Sequence, residues 1–581
     1  MSELSDAADG WGAASRHADN ARERVDGEMS AALAKTQDSE SAKAAVGRLK
    51  QLSNNYHYIK TECGLIRGAV DGLASELAAP RSHLHEALDE AAALGYTVNE
   101  NGSVGYPSGG KNQVTGSEVP GGTAYGQNGR FDSSSPGPSS GEKGIYQPGL
   151  SEDGEYFKSS NPHYARAKEI ADRITNALLS AQEIDDRYSG PLKELKAAPG
   201  LTVDTKTWAD VASDIDSVGS SAFPYLKEKI PFDQAPADRA KWWNHLTEEQ
   251  RQEYMAAFPE VIGNLDGVPA DVRDEVNREN IKFLIAKLEG QHDGRSQSQL
   301  EGLKGIQDKL EDASNPPMFL LGVGDEGNGR AIVSYGNPDT SRNVSAYVPG
   351  LGTALDGEFA DDTVRRAFQT AKGAYKYDQS SASIVWLGYD APGAFEVAST
   401  TDAEKGAPAY RSFMAGVQAT NENKAPHITA IGHSYGSLVV GTAARGHGGI
   451  PGVDDIVLLG SPGTGAQSAG ELNVGRGHVF AASAGNDPVS WLPAKSSFLG
   501  PVPAVINSEN AENYFGRDPV SRKFGATRIE SGDGPLPLFS GEGPTPAHSG
   551  YFDSDRNPSA AENIARIVAG RSDSVTTEES R

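Results

Sequence analysis

The sequence contains one cysteine, Cys63, among 581 residues. A single cysteine forms no internal disulfide and supplies no cluster of thiolate ligands for a metal. We therefore expect a fold that does not depend on an oxidising compartment. Cys63 is expected to pack as a small apolar residue on a helix.

Long hydrophobic runs and a basic leader are also lacking. No stretch approaches the ~20 apolar residues needed to span a bilayer. The chain starts Met-Ser-Glu-Leu-Ser-Asp, without the basic and apolar regions of a signal peptide. We expect no membrane span and no conventional export signal, which leaves the cytoplasm or export by a route without a signal peptide.

Positive charge is in short supply, because 53 Lys and Arg face 79 Asp and Glu, for a net charge of −26. Such a chain repels phosphate backbones and lacks a basic membrane-docking surface, so nucleic acid is not an expected partner. Histidines are scattered without metal-ligand spacing, and the glycine-rich turn near Gly322 opens no helix. We expect neither a metal nor a nucleotide or other cofactor.

A chain of this length is expected to form several domains. Helical spacing of apolar residues predicts a helical hairpin region over 1–100, with a further helix after Pro80. Gly, Ser and Pro dominate 101–155, which favours a flexible linker. Helical patterns return over 156–310, and a catalytic domain is predicted over 311–575.

The catalytic region alternates strands with helices, which predicts an α/β fold with a doubly wound, mostly parallel sheet. A leading hairpin adds antiparallel strands at one edge. The predicted strands cover 318–323, 331–334, 343–348, 382–387, 427–432, 455–459, 478–483 and 526–530. In such sheets the site lies at the carboxyl ends of the strands.

The motif Gly-His-Ser-Tyr-Gly at 432–436 fits the nucleophile elbow of α/β-hydrolases. A strand must turn sharply into a helix there, and flanking glycines allow the close approach. The predicted strand before the motif and the helix after it supply the required context. Ser434 is therefore the predicted nucleophile.

A serine nucleophile needs a histidine base, and in this fold the base follows it in the chain. His447, His478 and His548 are the histidines after the motif. His447 follows the next helix and His478 opens a strand, so both belong at the wrong end of the sheet. His548 follows the final strand region and is the predicted base.

The orienting acid must also lie at the carboxyl end of a strand. Asp454 and Asp455 precede their strand, whereas Asp487 directly follows one and is fixed by a proline. Asp487 is the predicted acid. Asp518 is the reserve candidate, and the alternative interpretation of Asp518 is a turn or a helix cap.

Backbone N–H groups must stabilise the tetrahedral intermediate. Tyr435, directly after the nucleophile, is one predicted donor. The second is expected from the loop Pro-Gly-Leu-Gly-Thr at 349–353, where Leu351 is preferred and Gly352 stays open. The side chain of His433 is expected to point away from Ser434 and to pack.

Several of these segments resemble an actinobacterial α/β-hydrolase family known as a domain of unknown function. They are Val-Pro-Gly-Leu-Gly-Thr at 348–353, Gly-His-Ser-Tyr-Gly-Ser at 432–437, Gly-Ser-Pro-Gly at 460–463, Asn-Asp-Pro-Val at 486–489 and His-Ser-Gly-Tyr-Phe at 548–552. The stretch 246–280 resembles the segment that precedes this domain. The resemblance implies a Ser-Asp-His triad at the positions already chosen, and it implies no substrate.

The N-terminal helices are similar to the hairpins of type VII secretion substrates. That family carries Trp-x-Gly in its central turn, whereas Trp11-Gly12 lies near the start here. A Tyr-x-x-x-Glu pattern runs from Tyr96 to Glu100. The resemblance implies export by a type VII route and a small helical protein partner.

The leading interpretation is a metal-independent serine hydrolase, esterase-like or lipase-like, acting on a small-molecule or lipid ester. Transfer of the acyl group to another acceptor and peptide cleavage use the same machinery and stay open. An alternative of another class is a secretion or interaction module with an inactive hydrolase fold. Apolar residues between Trp491 and Asn513 are expected to shape the acyl pocket. They are Leu492, Phe498, Leu499 and Val502.

Overall fold

The computed structural model describes residues 2–112, 115–126, 161–195, 202–222, 226–393, 399–491, 512–536 and 546–579. The chain folds into two compact units. The first comprises residues 1–202 and 214–229, and the second comprises residues 203–213 and 230–581.

The first unit begins with a helical hairpin. Its helices are α1 (Ser2–Glu23), a π-helical turn (Arg24–Ser30), α2 (Ala31–Thr36) and α3 (Glu40–Ala93). The hydroxyl of Ser39 accepts from the Ala42 amide 3.2 Å away and caps α3. Helix α1 packs antiparallel on α3, where Gly12 leaves room for the side chain of Arg67. Trp11-Gly12 therefore lies within α1 and not in the turn between the helices.

The prediction of a separate helix after Pro80 is wrong. Helix α3 continues through Pro80, which is buried. Proline removes one backbone donor, yet the packed helix on both sides keeps the chain helical.

The predicted flexible linker is also wrong at its start. Strands β1 (Thr97–Val98), β2 (Val104–Tyr106) and β3 (Gly122–Ala124) form an antiparallel sheet. Val104 and Ala124 are buried in one cluster with the first turns of α4 (Tyr164–Glu194). Gly and Asn serve tight turns as well as linkers, so composition alone did not separate the two. Residues 127–160 lie outside the described residues.

Helices precede the sheet in the second unit. They are α5 (Thr205–Ser221), which spans both units in sequence, then α6 (Pro236–His245), α7 (Glu248–Ala257), α8 (Pro259–Asn264), α9 (Ala270–Glu289) and α10 (Gly294–Glu311). Helix α7 begins at a capping box, in which Thr247 and Gln250 exchange side-chain and backbone hydrogen bonds.

The main sheet contains eight strands within the described ranges. They are β4 (Met318–Gly324), β5 (Arg330–Tyr335), β6 (Asn343–Val348), β7 (Ser381–Leu387), β8 (His427–His433), β9 (Asp455–Leu459), β10 (Val479–Ala482) and β13 (Thr527–Arg528). Their order is β13-β10-β9-β8-β6-β7-β5-β4. A separate hairpin of β11 (Glu512–Asn513) and β12 (Gly516–Arg517) lies between β10 and β13 in the chain. Strands β6 to β10 and β13 are parallel, and β4 and β5 form the antiparallel edge, as predicted.

Helices cover both faces of this sheet. Side chains alternate along β6, so that Val344, Ala346 and Val348 join one core cluster and Tyr347 joins the other. The remaining helices are α11 (Val364–Tyr375), α12 (Thr401–Thr420), α13 (Gly436–Arg445), α14 (Pro546–Ser549) and α15 (Pro558–Val568).

The chain reverses its winding direction at β6. It moves from β6 to β7 on one side and then crosses to β8 on the other. The carboxyl ends of β6 and β8 therefore border the switch point where ligands bind in doubly wound sheets. The loop 349–353 and Ser434 follow these two strands.

Candidate active site

Ser434 occupies a sharp strand-to-helix turn between β8 and α13. Its φ of 54° is left-handed, which is uncommon for a residue with a side chain. The Ser434 amide donates to the carbonyl of Leu459 on the neighbouring strand at 2.9 Å. The surrounding structure thus holds the strained conformation, as the nucleophile elbow requires.

The two glycines that flank the motif are required because neighbouring backbone atoms approach them closely. A Cβ at Gly432 would lie 2.7 Å from the Cα of Ser437. A Cβ at Gly436 would collide with the carbonyl oxygen of Val348 at the end of β6. Neither position therefore has space for a side chain.

The loop after β6 lies directly against Ser434. A Cβ at Gly350 would stand 3.0 Å from the Oγ of Ser434. The hydroxyl of Tyr389, which follows β7, donates to the carbonyl of Pro349 at 2.8 Å and so anchors this loop. The loop predicted to supply an oxyanion donor is therefore beside the predicted nucleophile.

His548 and Asp487 form a buried pair. His548 Nδ1 lies 3.0 Å from Oδ1 and 2.9 Å from Oδ2 of Asp487, whose side chain is fully buried. Asp487 follows β10, and His548 lies in the short helix α14. Because a carboxylate only accepts, Nδ1 carries the proton, and Nε2 of the neutral ring is left as the acceptor.

Two contacts link this pair to the serine turn. Gly460 directly follows Leu459, whose carbonyl accepts from the Ser434 amide. A Cβ at Gly460 would lie 2.5 Å from Asp487 Oδ2 and 2.8 Å from His548 Nδ1. His433, next to Ser434, lies with Nε2 2.7 Å from the carbonyl oxygen of His548. The predicted nucleophile, base and acid thus lie on adjoining segments at the carboxyl ends of the strands.

Asp487 is held in its ionised form. Burial by itself raises the pKa of this carboxyl, but hydrogen bonds from His548, Tyr551 and the Val489 amide, with the charge that His548 carries when protonated, outweigh it. The net pKa of Asp487 is lowered. A charged acid beside the imidazole can stabilise the imidazolium that forms when the base takes a proton.

The structure separates the two oxyanion candidates in the loop after β6. The Gly352 amide donates to the carbonyl of Pro392 at 3.0 Å and is therefore engaged. Within the described residues, the amides of Leu351 and Tyr435 make no hydrogen bond to the protein. Both are therefore available to an added ligand.

The rejected candidates lie elsewhere. His478 bonds to Asp455 at 2.7 Å at the amino ends of the strands, and His447 is exposed. Asp518 accepts from the Val520 amide at 3.1 Å, which is a turn contact. His478 and Asp455 therefore lie at the amino ends of the strands, as strand polarity predicts.

The prediction for His433 was incomplete, and Tyr551 was missed. His433 is buried as expected, but its ring also contacts the base through the His548 carbonyl. The Tyr551 hydroxyl donates to Asp487 Oδ2 at 2.6 Å. The sequence signals for Tyr551 were its position three residues after His548 and its place in the segment 548–552 that carries the family resemblance.

Three further predictions concern the acyl pocket, metal ligands and membrane-spanning helices. Leu492, Phe498, Leu499 and Val502, expected to shape an acyl pocket, lie outside the described residues. Across the described ranges, no group of three or more His, Cys, Asp or Glu side chains could hold a metal ion. In the same ranges, no helix has the length and apolar character needed to cross a membrane.

A serine in a nucleophile elbow, in a mostly parallel sheet covered by helices, defines an α/β-hydrolase fold. Residues 325–497 match the family model described as alpha/beta hydrolase, and the chain belongs to this family. The matched range contains Ser434 and Asp487 and ends before His548.

Mycobacterial proteins are among its relatives. An uncharacterized protein of Mycobacterium tuberculosis is 29% identical over 458 residues, which cover 71% of this chain and 67% of the relative. An uncharacterized protein of Mycobacterium bovis is 35% identical over 216 residues, which cover 36% of this chain and 80% of the relative. Neither name states a substrate.

Proposed function

We propose that the protein is a serine hydrolase that cleaves an ester or related acyl bond with Ser434, His548 and Asp487. The observation that carries the proposal is the placement of His548. Its Nδ1 is held by both oxygens of the buried Asp487, while its main chain is bonded to the residue next to Ser434.

In the proposed mechanism, Nε2 of His548 takes the proton of Ser434 Oγ as the serine attacks the acyl carbon. Asp487 keeps the imidazole in the tautomer with Nδ1 protonated and stabilises the imidazolium. His548 then returns the proton to the leaving group. Water, activated by the same base, releases the acyl group from Ser434.

The developing oxyanion would accept from the amides of Tyr435 and Leu351. Tyr435 directly follows the nucleophile, and Leu351 directly follows Gly350, which touches Ser434. The occupied amide of Gly352 favours Leu351 over its neighbour. Preorganised donors of this kind contribute about 2.7–4 kcal/mol each to transition-state stabilisation.

The substrate class is tested with acyl esters of varied chain length, offered to the full chain and to Ser434→Ala. We expect turnover by the native protein and none by the variant, with no effect of chelators. An added alcohol acceptor in the same assay separates hydrolysis from acyl transfer by the product formed. Ester turnover that persists in Ser434→Ala would contradict the proposal.

A further inference from the structure

Two side chains outside the proposed triad bond to its acid and its base. Tyr551 and His433 are both buried. Tyr551 lies on the segment that carries His548, and His433 directly precedes Ser434. Neither is needed for proton transfer itself, so their contacts require a separate explanation.

The direction of the Tyr551 hydrogen bonds is fixed by chemistry. Its hydroxyl oxygen accepts from the Ala484 amide at 2.9 Å, because an amide can only donate. The hydroxyl proton then points to Asp487 Oδ2, 2.6 Å away. Ala484 and Asp487 belong to the same loop. Tyr551 therefore fixes the Asp487 carboxylate relative to the main chain of the loop that carries Asp487.

The tautomer of His433 follows in the same way. Its Nε2 lies 2.7 Å from the His548 carbonyl, which can only accept, so Nε2 carries the proton and donates. Burial, with the positive charges of protonated His548 and of Arg366, lowers the pKa of His433 well below its ordinary value and keeps the ring neutral. The rings of His433 and His548 lie 4.5 Å apart at 34°.

We propose that Tyr551 and His433 are positioning residues that fix the acid and the base of the triad relative to Ser434. This inference rests on the proposed function. Tyr551 orients the Asp487 carboxylate, and His433 holds the main chain of His548 from a position adjacent to the nucleophile. Together they set the distance between base and nucleophile, on which proton transfer depends steeply.

The same hydrogen bonds would be seen if Tyr551 only stabilised the fold. A matched variant is therefore needed to separate an effect on catalysis from an effect on stability. Tyr410 is fully buried, and its hydroxyl donates to the carbonyl of Ala346 at 3.0 Å on β6. Tyr410→Phe therefore removes a buried tyrosine hydrogen bond from the same unit without touching the triad. It serves as the control for Tyr551→Phe.

We expect both tyrosine variants to lose stability, because each removes a hydrogen bond to a buried acceptor. Only Tyr551→Phe should lower kcat, by about tenfold or more at nearly constant KM, since a hydrogen bond to a charged group is lost. Equal kcat values in the two variants would overturn the role of Tyr551.

His433 is tested by a pair of replacements. The amide of Gln reaches close to the position of Nε2 and keeps a donor, whereas Leu keeps bulk and removes it. We expect His433→Gln to retain kcat within a few-fold and His433→Leu to lose about 10- to 100-fold. Equal losses in both would overturn the role of His433.

A measurement independent of turnover separates this inference from the proposed function. Histidine labelled with ¹⁵N in the full chain reports the Nδ1–H resonance of His548, assigned by its loss in His548→Gln. We expect this resonance to move in Tyr551→Phe and to stay in Tyr410→Phe. Failure of the native protein to hydrolyse esters would overturn the proposed function, whereas an unmoved resonance would overturn the positioning role.

Discussion

Gly350 and Ser434 are so close that a Cβ at position 350 would lie 2.6 Å from the Cβ of Ser434. The loop after β6 can approach the predicted nucleophile this closely only because residue 350 is a glycine and has no side chain. The next residue, Leu351, supplies the amide that we propose for the oxyanion hole. One backbone contact thus aligns two parts of the proposed machinery.

Gly350→Ala should lower kcat/KM by about 100-fold, because the added methyl group displaces either Ser434 or the oxyanion loop by a fraction of an ångström. Gly357→Ala is the matched control, since a Cβ there meets nothing within 4 Å. Steady-state kinetics with one ester checks both. Full activity of Gly350→Ala would show that the loop does not need its observed position.

The Leu351 amide can be removed without changing the side chain, by incorporating the α-hydroxy analogue of leucine at position 351. We expect kcat to fall by about 10²- to 10³-fold, the loss typical of one oxyanion donor. The same backbone change at Gly352 should affect stability more than kcat, because that amide is bonded to Pro392. A larger loss of kcat at position 352 would reverse the assignment.

Asp487→Asn should lower kcat by about 10⁴-fold, because an amide donor facing Nδ1 favours the wrong tautomer of His548. Asp518→Asn, which alters a turn contact, should leave kcat nearly unchanged. Kinetics on the folded variants, with circular dichroism as the folding check, decides between the two carboxylates. The opposite ranking would make Asp518 the acid.

His427, at the amino end of the central strand β8, gives the folding stability a pH dependence. Burial lowers its pKa, but the carboxylate of Asp455, 3.3 Å from its Nε2, and the charge of Asp454 outweigh this, so the net pKa is raised. The folded state therefore binds the proton more tightly than the unfolded state. The stabilisation is complete below the unfolded pKa of about 6.5 and is lost as the pH rises through the folded pKa.

Urea unfolding of the native protein and of His427→Gln at several pH values measures this contribution. We expect the difference in unfolding free energy between them to shrink as the pH rises from about 6 towards 9. His478 also contacts Asp455, so the comparison must keep His478 in place. A difference independent of pH would contradict the raised pKa of His427.

The elements that position the site were predictable from local sequence. Apolar runs bounded by glycine and proline gave the strands, and the alternation with helices gave a parallel sheet. The polarity of that sheet then distinguished His548 from His478 and Asp487 from Asp455. The carboxyl ends of parallel strands meet at the same end of a sheet, so residues that follow different strands can be predicted to lie together.

What could not be predicted depends on contacts between distant segments. Nothing in the sequence near His433 or Tyr551 indicates that each bonds to a group of the acid–base pair from another element. The sequence favours Leu351 but leaves Gly352 open, because the carbonyl that engages the Gly352 amide belongs to Pro392, about 40 residues away in sequence. Such hydrogen bonds arise only after folding brings the segments together.

The central claim is that Ser434 is an activated nucleophile. The most direct measurement is labelling of the folded full chain with a fluorophosphonate, followed by mass spectrometry of the modified peptide. We predict one adduct, on Ser434, which is absent from Ser434→Ala and after unfolding and is strongly slowed in His548→Gln. No labelling of the folded protein, or labelling of another serine at the same rate in Ser434→Ala, would contradict the claim.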